Sequence, residues 1–258
     1  MTLRENVKQM IEDCTSNLSV KIKHYTRFNQ PVRIIDDTFS EMIGAMMNNT
    51  FCGGSGGGGW DQCDGGEQKD VSHVQSKFCG KCGKKVVFHA IECPHCQSTK
   101  FKASKNQKTF NKTNPRVGRA GINAKSHFKH FKGLKEYRLT LTEPMTDNPS
   151  CNQYRIRYWV ISKDSKHLNA YAKAQLESNK SNHINFQPLK VDFYLSNPIL
   201  KFDGVLTVNE GSTSMNFNYF NPENQVSEEI PAEFIDVDSQ TVIESKNFNK
   251  ERGEWVRN

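Results

Sequence analysis

Apolar positions along this chain alternate between two periods. Leu3, Val7, Met10 and Ile11 recur at helical spacing, and segment 36–47 sets an aspartate cap before a stripe holding Ile43 and Met46; both patterns predict helices. A further helix is expected over 165–178, with Leu168, Tyr171, Ala172 and Leu176 on one face. Strand-like runs occupy 137–141, 154–161, 191–195, 200–208 and 215–220, bounded by Asn, Gly and Pro turns. The order of strand, helix and strand predicts an α/β (α+β) fold, a mixed β-sheet with flanking helices, the two N-terminal helices covering the sheet. No internal repeat is visible.

Four cysteines interrupt these periods. Cys79-Gly80-Lys81-Cys82 and Cys93-Pro94-His95-Cys96 are two Cys-x-x-Cys knuckles separated by what reads as a small hairpin. That is the spacing of a zinc ribbon: tetrahedral Zn²⁺ takes four thiolates from two tight turns, and Gly80, Gly83 and Pro94 supply the turns. The competing reading, two disulfides, fits less well. No secretory signal opens the sequence, and Cys14, Cys52, Cys63 and Cys151 lack knuckle spacing, so a reducing, cytoplasmic setting is expected. A site with four protein ligands has no open position, so this Zn²⁺ is structural, and His89 and His95 are spectators or phosphate contacts.

The chain has 258 residues and a net charge of +7, without an apolar run near the roughly 20 residues of a membrane span. The distribution of charge says more than its sum. Residues 77–138 hold sixteen Lys or Arg against Glu92 and Glu136, with Phe and Tyr interleaved, while 202–258 hold eleven acids against four bases. One region therefore suits a polyanion, and double-stranded DNA is the expected partner, bound in a salt-dependent way; a solvated charged face is the blander alternative. Lys102, Lys105, Lys108, Arg116, Arg119, Asn123 and Lys125 are the candidate DNA-binding residues, and Gln107, Gln153, Arg155, Arg157 and Lys163 complete the pool that could reach base edges. The segment 101–133 lacks clear periodicity and is expected to order on DNA. The acidic tail from Glu228 onward, including Trp255, should lie away from the groove.

Chemistry concentrates just upstream of the knuckles. In Trp60-Asp61-Gln62-Cys63-Asp64-Gly65-Gly66-Glu67-Gln68-Lys69 an aspartate is followed, after a glycine turn, by an alternating Glu-x-Lys. On a strand, Glu67 and Lys69 share a face, and a hairpin turn at Asp64-Gly65-Gly66 would return Asp61 beside Glu67. Two hard carboxylates then suit Mg²⁺, next to an ammonium for the attacked phosphate and its water. Elsewhere a Glu-x-Lys is an ordinary solvated pair. Asp64 is the rival first ligand, Asp70 a weaker one, and Glu41 either leans into the site from its helix or is a first-turn glutamate favoured by the helix dipole. A second triplet, Gln75-Ser76-Lys77 with Asp64 upstream, offers one charge fewer. A ββα-metal site using His89 lacks its Asn or second His. Residues 53–59 are glycine-rich without the Gly-Lys-Ser/Thr of a phosphate loop, and serve as linker or as a close approach to DNA.

Glycine-rich loop, Asp61, Glu67-x-Lys69, helical Glu41 and ribbon together resemble the PD-(D/E)xK nuclease superfamily, and within it type II restriction endonucleases; the leading proline is absent. The resemblance implies a restriction-endonuclease-like core with an inserted four-cysteine zinc ribbon. It implies Asp61 and Glu67 on Mg²⁺, Lys69 orienting or helping to deprotonate the attacking water, and hydrolysis leaving 5′-phosphates. A homodimer and a cognate DNA methyltransferase in a prokaryotic host would follow. Expected units are 1–78 with N-terminal helices and catalytic hairpin, 79–100 the ribbon, 101–198 the basic segment and rest of the core, and 199–258 a β-rich acidic end. The alternative is a non-catalytic zinc-ribbon DNA-binding protein that needs no Mg²⁺.

Overall fold

In the computed structural model, five strands form the central sheet in the order β1 (Gly66–Ser72), β6 (Glu136–Pro144), β7 (Gln153–Ser162), β9 (Ile199–Asn209), β10 (Ser212–Phe220). The described residues are 1–53, 61–72, 76–102, 120–123, 127–128, 133–146, 148–177, 183–186, 191–232, 248–249 and 254–255. β1 runs parallel to β6 and the other neighbours are antiparallel, so the sheet is mixed. The parallel pair requires a long crossover, and residues 73–135, with the ribbon and the basic stretch, provide it.

Period-two alternation explains why the sheet is covered on both sides. From β7, Tyr154, Ile156, Tyr158 and Val160 join Phe202, Leu206 and Met215 under helices α1 (Leu3–Thr15), α2 (Leu18–Arg27) and α3 (Asp37–Met47). The intervening Trp159 and Ile161 join Tyr137, Leu139 and Leu141 under α4 (Lys166–Glu177) and α5 (Val191–Leu195), through Leu168, Ala172 and Phe193. A strand buried on both faces reads as nearly continuous apolar sequence. α1 opens with a capping box, Thr2 and Glu5 exchanging bonds; Asp36 caps α3 through the Phe39 N–H. Ser165 accepts from the Leu168 N–H at the start of α4.

Three local expectations change. Residues 191–195, expected as a strand, are helix α5, ended by Asn197 at φ 52 and then Pro198; five apolar-rich residues carry too little period to separate the two states, and the left-handed Asn before a Pro was the overlooked stop signal. α2 carries no apolar stripe that its sequence could show, because only Leu18 of it is buried. Residues 120–123, expected to lack regular structure, form β5 and pair antiparallel with β8 (His183–Phe186).

The knuckles lie on a separate small sheet, β3 (Lys85–Val87), β2 (Ser76–Cys79), β4 (Phe101–Lys102), in that order. The first knuckle is itself the β2–β3 turn, with Gly83 at φ 70, so the unit begins at 76, not 79. Two anchors hold it to the body. The Asn29 side chain, at a backbone φ of 54, donates to Lys85 O (3.3 Å) and accepts from Val87 N (3.0 Å). His89 is buried between Pro149 O (2.9 Å) and the Tyr154 hydroxyl (3.0 Å). The expected boundary at 199 cuts one sheet, since β9 and β10 belong with β7. Two short strands, β11 (Phe248–Asn249) and β12 (Glu254–Trp255), pair with each other. Among the described residues no helix is long and apolar enough to cross a membrane.

Candidate active site

β1 is an edge strand, and its opening is set by glycines that close contacts demand. Gly65 has φ 92, and a Cβ on Gly66 would sit 2.3 Å from the Arg138 guanidinium. The chain reverses in one turn: Gln62 N donates to Gly66 O (3.1 Å) and Gly65 N to Gln62 O (3.1 Å). Asp64 belongs to this turn. Its carboxylate accepts from Gly66 N (3.2 Å) and from both terminal nitrogens of Arg138, at 3.0 and 2.6 Å. Burial raises the Asp64 carboxyl, but the Arg138 bonds and charge outweigh it and hold the group below its ordinary range. Asp64 is therefore a structural partner of Arg138, whose side chain is 4% exposed, and is not directed at Lys69.

Asp61 emerges on the free edge of β1, where its Oδ2 accepts the Gln68 N–H at 2.9 Å and lies 3.8 Å from Lys69 Nζ. The expected hairpin is thus a single turn in which a carboxylate, not a second strand, satisfies the exposed edge donor. Glu67 and Lys69 point to the same face, joined at 2.5 Å through Glu67 Oε1. The Glu67 side chain is only 8% exposed. Burial pushes its carboxyl up, and Lys69 opposes the shift. The main chain of Asp61 also favours the charged form, yet Oε2 is buried with no hydrogen-bond partner among the described residues.

Gln68, on the opposite face, fixes α3 to the strand by donating to Ser40 Oγ and Thr140 Oγ1, both 2.9 Å. α3 approaches closely because residue 44 is glycine: a Cβ there would meet Gln62 Nε2 at 2.2 Å and Gln68 Oε1 at 2.3 Å. Gln62 Nε2 donates to Glu41 O (3.0 Å), which places Glu41 in the field of Asp61, Glu67 and Lys69. Burial raises the Glu41 carboxyl, and the charges of Asp61 and Asp37 add to that. Asp70 leaves the site: it turns to Asp37 on α3, and burial with the Asp37 hydrogen bond pushes it up to about 7. That carboxyl pair, and the Arg138 anchor, were invisible in the sequence because each joins residues distant along the chain.

Other candidates are redistributed. Lys77 of the rival triplet faces into the ribbon, 3.9 Å over the Phe101 ring and donating to Ala90 O, while Gln75 lies outside the described residues. His89 has both ring nitrogens engaged, which removes it as a catalytic histidine. Of the base-edge candidates, Arg155 is held by Asp203 (2.8 and 2.9 Å) and Arg157 by Glu143 (2.7 Å). Lys102 is exposed on β4, and with Lys81, Lys84, Lys85 and Lys100 it gives the ribbon five exposed lysines. Asn123 lies on β5. Lys105, Lys108, Arg116, Arg119 and Lys125 fall outside the described residues, as do Trp60 and most of the glycine-rich loop, whose ends are joined by Gly53 N to Asp61 O at 2.7 Å.

The cysteines converge as the spacing predicted. Cys79 and Cys96 sulfurs are 3.5 Å apart, Cys82 and Cys93 3.6 Å, and all four lie within 4.8 Å of one another. Four sulfurs around one tetrahedral Zn²⁺ at about 2.3 Å are separated by about 3.8 Å, so the donor set could hold a structural metal such as zinc. The Cys82 N–H, then that of Lys81, pull the Cys79 thiol down to about 6. Comparisons with protein families, with curated proteins and with solved structures gave no match to this chain.

Proposed function

We propose that the protein is a Mg²⁺-dependent endonuclease of double-stranded DNA, acting in the manner of type II restriction enzymes, with its centre at Asp61, Glu67 and Lys69. The observation that carries this reading is Glu67: a carboxylate sunk to 8% exposure, one oxygen on Lys69, the other without a partner among the described residues, and Asp61 alongside. A buried charged group is retained at a cost unless it is paired or coordinates a metal, and two hard carboxylates fit Mg²⁺. Glu41 is the candidate that would add charge from α3.

When bound, the cation would polarise the attacked phosphate and favour a hydroxide nucleophile. Asp61 and Glu67 would hold it, and Lys69, tied to Glu67 and near Asp61, would orient the water and steady the charge developing on phosphate oxygens. Product ends would be 5′-phosphates, and cutting both strands would use two copies of the chain. The support lies in the chemistry of the site; a restriction-endonuclease-like core remains part of the proposal. The five exposed ribbon lysines favour DNA as the partner and equally support the second reading, a non-catalytic zinc-ribbon DNA-binding protein. Plasmid incubated with wild-type and Glu67→Ala protein, with and without Mg²⁺, separates the two. Discrete Mg²⁺-dependent fragments lost in the variant are expected; salt-sensitive binding without any cutting would leave only the second reading.

A further inference from the structure

Tyr137 stands opposite Glu67 in the β1–β6 register and on the same face, and the Glu67 charge bears on its phenol. A phenol at that place is a candidate donor for the buried Glu67 oxygen that has no partner among the described residues. The structure commits its proton elsewhere. Tyr137 Oη lies 2.6 Å from Nδ1 of His127, which is fully buried, and His127 Nε2 lies 2.9 Å from Asn169 Oδ1.

The direction of this relay follows from its far end. Asn169 Nδ2 donates to the carbonyls of Lys163 (2.9 Å) and Ser165 (3.0 Å), so the amide cannot be turned over, and its oxygen is what faces His127. An oxygen there needs a donor, so Nε2 carries the imidazole proton and Nδ1 is left as acceptor. Tyr137 must then be the donor, and its single proton is directed to His127. The burial that disfavours a charged His127 agrees with the neutral form.

Resting on the Mg²⁺ reading above, we infer that Asn169 and His127 are positioning residues of the candidate metal site: they direct the Tyr137 proton away from Glu67 and so keep one carboxylate oxygen open for a cation. His127 sits in the basic run, and nothing in its local sequence shows this task. Partners that orient metal ligands at one remove typically change affinity by about 10–100-fold when lost.

The test is calorimetric titration of Mn²⁺ into the full chain without DNA, with Glu67→Gln defining uptake elsewhere. His127→Leu, which removes the acceptor that directs the phenol proton away from Glu67, should lower affinity about tenfold. Tyr137→Phe should leave it within about twofold, and His127→Leu with Tyr137→Phe should recover the wild-type value, because no hydroxyl remains to occupy Glu67. His127→Gln, still able to accept, should bind normally. Should His127→Leu fail to fold, Asn169→Ala, which releases the tautomer and also gives up the bonds to the Lys163 and Ser165 carbonyls, should give a smaller loss that Tyr137→Phe again recovers. Unchanged affinity in His127→Leu and Asn169→Ala overturns the inference, as does a loss that Tyr137→Phe does not recover. Wild-type uptake no greater than that of Glu67→Gln overturns the metal reading itself, and this inference with it.

Discussion

Glu67→Gln keeps the shape of the side chain and removes its charge, which makes it the most direct probe of why a carboxylate is buried there. Without a divalent ion, the wild-type group is a net burden on the fold: burial pushes its carboxyl up despite Lys69. A raised folded-state value means that the protonated form is favoured by folding, so the group's contribution is best below the unfolded value and declines as pH rises above it. At pH 7 the unpartnered oxygen alone is of the order of 1–3 kcal/mol. Glu67→Gln is therefore expected to be as stable as wild type or more so, by about 1 kcal/mol. If Glu67 holds Mg²⁺ as proposed, the cation reverses the order. At ten times Kd a ligand adds about 1.4 kcal/mol to the form that binds it, which in a chain of this size raises Tm by about 3–6 °C. Thermal melts of both proteins at pH 7, with chelator and with Mg²⁺, read this out. A variant that melts well below wild type in chelator would show that the Lys69 pair outweighs desolvation. Equal Mg²⁺ shifts in the two proteins would show that Glu67 holds no cation; either result refutes the reasoning.

Other expectations follow from the same geometry. Gly44→Ala must displace Gln62 and Gln68 from positions 2.2 and 2.3 Å from the new carbon, lowering stability by about 1–3 kcal/mol in denaturant melts and shifting Glu41. Asp70, raised to about 7, stabilises most below its unfolded value near 4 and least above pH 7; Asp70→Asn should flatten the fall in stability between about pH 4 and pH 7, while Asp37, held low, acts in the opposite sense at more acid pH. If the four cysteines hold zinc, Cys93→Ser or a strong chelator should remove it, measured by elemental analysis, and free the segment from its His89 and Asn29 anchors, seen as new amide exchange at Val87. If DNA is the partner, replacing Lys81, Lys84 and Lys85 by Gln should weaken its binding uniformly and flatten the dependence on salt by about one unit of slope per lost phosphate contact.

Some of this protein was determined locally and some was not. Asp36 before an apolar stripe, the alternation through β6 and β7, and the two Cys-x-x-Cys turns act over a few residues, so sequence alone located α3, the central strands and the four-cysteine cluster. Strand period likewise put Glu67 and Lys69 on one face, and a glycine turn returned Asp61 beside them. Short or weakly buried elements lacked enough period: α5 reads as a strand until Asn197 is seen in the left-handed region, and α2 shows one buried residue. Which aspartate faces Lys69 could not be decided from spacing. Arg138, more than seventy positions away, engages Asp64 and leaves Asp61 to the edge of β1. Tertiary structure alone also paired Asp70 with Asp37, joined Arg155 and Arg157 to Asp203 and Glu143, and tied Tyr137 to His127. Charges and hydroxyls take their roles from the nearest partner in space, and neither the short loops that bring His127 to Tyr137 and Arg157 to Glu143 nor the long crossover that brings Arg138 to Asp64 has a period that betrays the pairing.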